Sequence, residues 1–151
     1  LLGYITGGVM RAFVVGIAVY IVTIFFTEIP IYNLSLVILI TFLTAFLFST
    51  AGFINAIYAK SFDDINIVTT FVLTPLTYLG GTFYSIDALP QIWQDISIFN
   101  PIAYIISAYR LAFLGIEETS IVVSIAIIII LIFILFFAAL MILSKGIGIK
   151  N

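Results

Sequence analysis

Apolar residues run through most of the chain in stretches long enough to cross a bilayer. A helix needs about 20 mostly apolar residues to traverse roughly 30 Å of hydrocarbon. Four stretches meet this requirement: residues 4–26, 34–58, 65–83 and 121–143. The alternating pattern of a membrane barrel is absent from them, and an open sheet edge is not tolerated in lipid. The pattern predicts an all-α membrane protein with four transmembrane helices.

The segment between the third and fourth stretches is more polar and has its own periodicity. Five apolar residues recur there at the spacing of one helical face, at Leu89, Ile92, Trp93, Ile96 and Phe99. Asp87 lies just before this face as a candidate N-cap, and Pro90 is tolerated in a first helical turn. Gly80 and Gly81, which end the preceding apolar stretch, favour a sharp break before it.

A second break follows at Asn100 and Pro101, which are typical of an N-cap and a first helical position. They predict a helix over 102–114 that Gly115 ends. Each of the two helices has about 13 residues, or roughly 20 Å, so neither one spans the bilayer. The sequence therefore predicts a re-entrant helix–break–helix hairpin over about 87–114, with Trp93 and Tyr104 in the interfacial aromatic belt.

Composition excludes several classes of protein. The chain is 64% hydrophobic and only 8% charged, whereas soluble domains carry about 25% charged residues. It contains no Cys and no His, which removes disulfides, thiolate nucleophiles, His-based metal sites and Ser–His catalysis. A net charge of −2 without a basic stripe gives no indication of nucleic acid binding. We expect no catalytic, cofactor or metal site.

The distribution of cations predicts the orientation. Four of them fall on one side of the four predicted spans, at Arg11, Lys60, Lys145 and Lys150, and Arg110 falls on the other. The positive-inside rule then places both ends of the chain in the cytoplasm and the hairpin outside. The chain starts at Leu1 and enters apolar sequence at once, so we expect it to be part of a longer protein.

Four sequence motifs occur in a fixed order. They are GYITGGVMRAFVVG at 3–16, INAIYAKSFDDI at 54–65, TPLTYLGGTFYSIDALP at 74–90 and NPIAYIISAYRLAFLGI at 100–116. In these motifs the chain resembles the type-2 ABC transporter permeases, a bacterial export family with YadH-like, NodJ-like and DrrB-like groups, and most of all the first group. Members have six spans, so the resemblance implies that the third to sixth are present here and that two precede residue 1.

The resemblance also implies partners and a location. Such permeases form homo- or heterodimers in the bacterial inner membrane, above two ATP-binding subunits. ATP and Mg²⁺ would be bound by those partner subunits, and membrane lipid would surround the permease. A non-catalytic membrane assembly subunit is the alternative function, and an enzyme acting on lipid-linked substrates is a weaker one because the outer carboxylates are scattered. The transported substrate is not indicated.

Two sets of residues are candidates for an outer gate. Gly80 and Gly81 are either a hinge or close-approach point, or a simple helix C-cap. Arg110 has three interpretations: a structural ion pair, which we favour, contact with an anionic substrate, or snorkelling into water. Its candidate partners are Asp87, Asp95, Glu117 and Glu118.

Other candidates lie nearer the predicted cytoplasmic side. Arg11, Lys60, Asp63 and Asp64 are candidate contacts for the ATPase subunit, although a solvated turn in which an aspartate caps the next helix is the favoured alternative. Small residues recur four apart at Gly8, Ala12 and Gly16, and again at Gly52 and Ala56. Such spacing lets membrane helices approach closely, either within one protomer or across a dimer.

Overall fold

The computed structural model describes residues 1–28, 30–84, 86 and 89–145, and within these ranges the chain is helical with no strand. The helices are α1 (Leu2–Ile24), α2 (Leu34–Tyr58), α3 (Phe62–Val68), α4 (Thr74–Leu79), α5 (Gln91–Ile98), α6 (Pro101–Leu114) and α7 (Ile121–Ser144). A π-helical turn, Thr69–Leu73, joins α3 to α4. The all-α prediction is confirmed.

Three of these helices are long and apolar enough to cross a membrane. They are α1, α2 and α7, with 23, 25 and 24 residues, or about 35 Å each at 1.5 Å per residue. The part of the third predicted span that is helical, residues 65–79, consists of most of α3, the π turn and α4 and covers about 22 Å. It ends at Leu79 rather than at residue 83, because the chain turns at Gly80 and Gly81.

The π turn has a local cause in Pro75. Proline has no N–H, and its ring clashes with the carbonyl four residues earlier, that of Phe71. One wider turn just before the proline relieves this clash, as single π turns inside α-helices can. Thr74 N–H and its hydroxyl both donate to Thr69 O, the latter over 3.2 Å, and the Thr77 hydroxyl donates to Leu73 O over 2.8 Å.

Helix α2 lies at the centre of the packing and contacts α1, α6 and α7. Against α1 it buries a cluster of Ile5, Val9 and Ala45. Against α6 it buries Ile40 with Ala108 and Ala112, and a third cluster joins α2, α6 and α7 through Leu47, Ile105 and Ile128. Most other apolar side chains are exposed on the outside of the bundle, as expected for a protein whose solvent is lipid.

The predicted hairpin is present as α5 and α6, which meet at a bend of 89°. Asn100 caps α6 and Pro101 is its first residue, and Gly115 ends it in the left-handed region at φ 71°, all as predicted. The prediction for α5 was wrong in length: it has eight residues and begins at Gln91, with Pro90 before it. Pro90 disfavours the α conformation of the residue before it, Leu89, so the helix starts after the proline. Asp87, its predicted cap, lies outside the described residues.

Candidate functional site: the carbonyl clasp between α4 and the hairpin

The C-terminal end of α4 leaves backbone carbonyls that lack the usual partners of a helix interior. The last four carbonyls of any α-helix are in this position, and in lipid each unpaired group costs several kcal/mol. In this protein all four accept a hydrogen bond from a side chain: Leu76 O from Asn100, Thr77 O from Thr82, Tyr78 O from Tyr84, and Leu79 O from Ser97. Thr77 O also accepts from Gly80 N–H over 3.3 Å, so within the part of the chain that the structure describes the side chains are the only donors to the other three. We call this set of bonds the carbonyl clasp.

Asn100 is the residue that ties the two elements most tightly. Its Nδ2 donates to Leu76 O over 2.7 Å, and its Oδ1 accepts from Ile102 N–H over 3.0 Å. One side chain, only 3% exposed, therefore holds the end of α4 and caps the start of α6. Ser97, 2% exposed, has one hydroxyl proton, which it shares between Leu79 O at 3.0 Å and Trp93 O at 2.8 Å; this bifurcated bond connects α5 to the end of α4.

Arg110 extends the clasp past the glycine pair. Its guanidinium donates to Gly81 O and Tyr84 O and forms an ion pair with Glu118. The side chain is 21% exposed, so the cation is partly withdrawn from water and is matched by three oxygen acceptors. Of the three candidate carboxylates that the structure describes, Glu118 pairs with Arg110, whereas Glu117 accepts from Ile121 N–H at the start of α7. The fourth candidate, Asp87, lies outside the described residues. The geometry supports the structural ion pair, and substrate contact stays a prediction.

Gly80 and Gly81 meet two different requirements. A Cβ at Gly80 would lie 3.0 Å from both the Ile102 side chain and Leu76 O, so the absence of a side chain allows α6 to approach. Gly81 has φ +80°, a conformation that favours glycine. The pair is thus a close-approach point that also ends α4, and its role as a gate hinge stays a prediction.

The two aromatic candidates of the hairpin lie at its surface. Trp93 is 45% exposed on α5, and the Tyr104 hydroxyl donates to Ile98 O over 2.7 Å across the bend. Both side chains combine an apolar ring with a polar group, as residues of an interfacial belt do. Tyr104 also stabilises the bend, a role that the sequence did not indicate.

The charged residues between α2 and α3 form a local cap. Asp64 accepts from Lys60 N–H over 2.9 Å and from Ser61 N–H over 3.1 Å, and Ser61 in turn accepts from Asp64 N–H in a capping box. These backbone donors, that of Lys60 first, lower the pKa of the Asp64 carboxyl below its ordinary value of 3.8. Asp63 lies in the same first turn of α3. Contact with an ATPase stays a prediction for all of them and for Arg11, which lines a groove between α1 and α2.

The small residues divide between packed and open positions. A Cβ at Gly8 would lie 2.9 Å from the Cβ of Ser49, so α1 and α2 are in close contact there. Gly52 faces the Tyr4 hydroxyl at 3.8 Å, and Ala12 packs beside the α1–α2 cluster. Gly16, by contrast, has nothing within 4 Å of its Cβ position, and Ala56 is exposed.

Sequence reasoning missed three members of the clasp, namely Thr82, Tyr84 and Ser97 as donors to α4. The signal for them was indirect. A helix that ends at two glycines inside an apolar chain must find donors for its last carbonyls, and hydroxyl and amide side chains are the available source. The count of unpaired carbonyls predicts such donors, but it does not identify which side chains provide them.

Comparison with known proteins places the chain among membrane transport proteins. Residues 1–114 match the family model of the ABC-2 type transporter. Over 149 residues the chain is 43% identical to the inner membrane transport permease YadH of Escherichia coli K12, covering 99% of this chain and 58% of that protein. It is 33% identical over 73 residues to nodulation protein J of Rhizobium leguminosarum bv. viciae, which is 48% of this chain and 28% of the relative.

The chain thus spans little more than half the length of the YadH relatives that it matches. No solved structure is significantly similar to it. The family match covers α1 to α6, and therefore includes the clasp and both helices of the hairpin. The chain belongs to the ABC-2 type transporter family.

Proposed function

We propose that this chain forms part of the membrane pathway of an ATP-driven exporter in a bacterial inner membrane. Separate ATP-binding subunits would bind ATP and Mg²⁺, a second permease copy would complete the pathway, and both ends of this chain would face the cytoplasm. Family membership and the similarity to a protein named an inner membrane transport permease support this assignment. Three helices of sufficient length and apolarity support the location.

The observation that carries the mechanism is the carbonyl clasp. Moving the hairpin away from α4 breaks the Asn100 and Ser97 bonds and leaves Leu76 O and Leu79 O unpaired in a nonpolar environment. That separation is costly, so α4, α5 and α6 move together. A displacement of the third membrane segment therefore displaces the outer hairpin as well.

The π turn provides the flexible point that this mechanism needs. Before it, α3 is tied to α2 by the bond from Asn55 Nδ2 to Ile65 O, and after it α4 is held by the clasp. The Thr69–Leu73 turn lies between these two anchored ends and has no buried residue, and such turns are frequent at functional sites in helices. Closure of the ATP-binding subunits would tilt the membrane helices, and the α4–hairpin unit would pivot at this turn to open the outer mouth.

Capture of the full-length protein from membranes tests the proposal. The protein is purified through an affinity tag, the co-purifying subunits are identified, and ATP hydrolysis is measured with and without vanadate. We expect an ATP-binding subunit and vanadate-sensitive hydrolysis in the captured complex. Recovery of well-folded protein without any ATPase would contradict coupled export and favour the membrane assembly subunit. Membranes lacking the tagged protein are the control.

A further inference from the structure

An apolar crevice lies along α1 and α2. It has a volume of about 840 Å³ and is bounded by α1 and α2, with Tyr109 and Phe113 of α6 at one end. Its lining is almost entirely hydrocarbon and aromatic. A size of this order is typical of small-molecule sites, roughly 300–1,000 Å³. On α1 it extends from Ala12 to Tyr20, about 12 Å along the helix axis, which is close to the depth of one bilayer leaflet.

A cation lies at the other end of this crevice. A second groove, of about 720 Å³, includes Arg11 and shares four lining residues with the crevice, namely Ala12, Val15, Ala45 and Phe48. The two cavities are therefore neighbours along α1 and α2. Together they form a recess with an apolar body and a guanidinium at one end. This shape and charge are complementary to an anionic amphiphile.

Arg11 lies at a depth where an unpaired charge is unfavourable. The helix beyond it, as far as Ile24, covers only about 20 Å, whereas the hydrocarbon layer is about 30 Å thick. Arg11 therefore falls inside the predicted span, residues 4–26, and not beyond its end. Charged residues at this depth almost always have a partner, yet among the residues that the structure describes Arg11 forms no ion pair. Arg110, by contrast, is already matched by Glu118 and two carbonyls.

We propose that this recess binds a single anionic phospholipid of the surrounding bilayer, with an acyl chain in the crevice and the phosphate on Arg11. The phosphate supplies the charge that Arg11 lacks, in a charge-assisted bond that guanidinium groups form well with phosphate. The acyl chain fills space between α1 and α2 that no described side chain occupies, as at Gly16. The lipid thereby becomes part of the α1–α2 contact.

Two variants of the full-length protein test the two halves of the site. Arg11→Gln removes the cation, and Gly16→Leu adds a side chain at a crevice position where a Cβ would have nothing within 4 Å. Lys60→Gln removes a cation outside the recess, and Val14→Leu adds bulk to α1 at a position that does not line it. The variants are delipidated in detergent and titrated with phosphatidylglycerol or phosphatidylcholine, and bound lipid is counted by native mass spectrometry.

We expect the wild-type protein to retain one phosphatidylglycerol in preference to phosphatidylcholine. Arg11→Gln should weaken phosphatidylglycerol binding about fivefold, the usual effect of one basic residue at a lipid surface, and should abolish the preference. Gly16→Leu should weaken both lipids, and the two controls should match the wild type. Arg11→Lys keeps the charge, so its affinity for phosphatidylglycerol should stay within about twofold of the wild type. This variant provides a result if Arg11→Gln does not fold.

Unchanged lipid binding in both Arg11→Gln and Gly16→Leu would overturn the proposal. It would mean that a second copy, or a part of the protein outside this chain, covers the recess. Equal binding of the two lipids by the wild type would also overturn it, because the phosphate on Arg11 is then not recognised. None of these outcomes depends on ATP hydrolysis, so the test is independent of the proposed export function.

Discussion

Asn100→Ala measures how strongly the hairpin is held to α4. The substitution removes two bonds at once. Loss of the N-cap of α6 costs about 1 kcal/mol, and leaving Leu76 O buried without a donor costs about 1–3 kcal/mol more. The expected decrease in the free energy of unfolding is therefore about 2–4 kcal/mol, equivalent to a change of about 30- to 1,000-fold in the unfolding equilibrium.

Asn33→Ala is the matched control. Asn33 caps α2 by accepting from Leu36 N–H over 3.1 Å, but its side chain is exposed and holds no second element. It should cost only the cap, about 1 kcal/mol. Both variants of the full-length protein are unfolded in mixed micelles by titration with a denaturing detergent. If Asn100→Ala is no more destabilising than Asn33→Ala, the bond to Leu76 O does not hold the hairpin and the clasp is not a coupling element.

Three further predictions concern other contacts. Gly8→Ala should lower the free energy of unfolding by about 1–3 kcal/mol through overpacking between α1 and α2. Its control, Gly7→Ala, has open space at the Cβ position and should be neutral or stabilise by up to about 1 kcal/mol. Both are measured by titration with a denaturing detergent, and equal effects would contradict the close contact at Gly8. The stabilisation from Asp64 should be complete above its ordinary pKa of 3.8 and be lost as the pH falls through the lower pKa of the folded state. When the free energy of unfolding is measured from pH 6 to pH 3, that of the wild type should approach that of Asp64→Asn only at the acid end. Asp63→Asn is the control. Arg110→Lys keeps one charge but cannot reach three acceptors, so it should lower stability by about 1–3 kcal/mol; full stability with loss of transport would instead indicate substrate contact.

The parts of the fold that depend on local sequence were predictable. Asn100, Pro101 and Gly115 fix the ends of α6 through capping and backbone preference, which act within a few residues. The apolar stretches likewise identify α1, α2 and α7, because a bilayer requires length and apolarity and little else. These features need no knowledge of which helices are neighbours.

The clasp could not be predicted in the same way because its bonds are distant in sequence. Asn100 and Leu76 are 24 residues apart, and Arg110 and Gly81 are 29 apart, so their pairing follows from how α6 crosses α4. Sequence restricted the partner of Arg110 to four carboxylates, and among those that the structure describes, tertiary structure identifies Glu118. The π turn was equally ambiguous: Pro75 predicts a disturbed helix, but a kink and a wide turn are alternative ways to relieve the same clash.

The extra residue in the Thr69–Leu73 turn has a consequence for helical phase. In an uninterrupted α-helix each residue advances by about 100°, so the side that meets one neighbour dictates the side that meets the next. One additional residue in a turn rotates everything after it by about that angle relative to everything before it. As a result, α3 contacts α2 with one stripe of side chains, and α4 contacts α6 with a different stripe. Deleting one residue from the turn would bring the two stripes back into line and turn α4 away from the side chains that pair with its carbonyls.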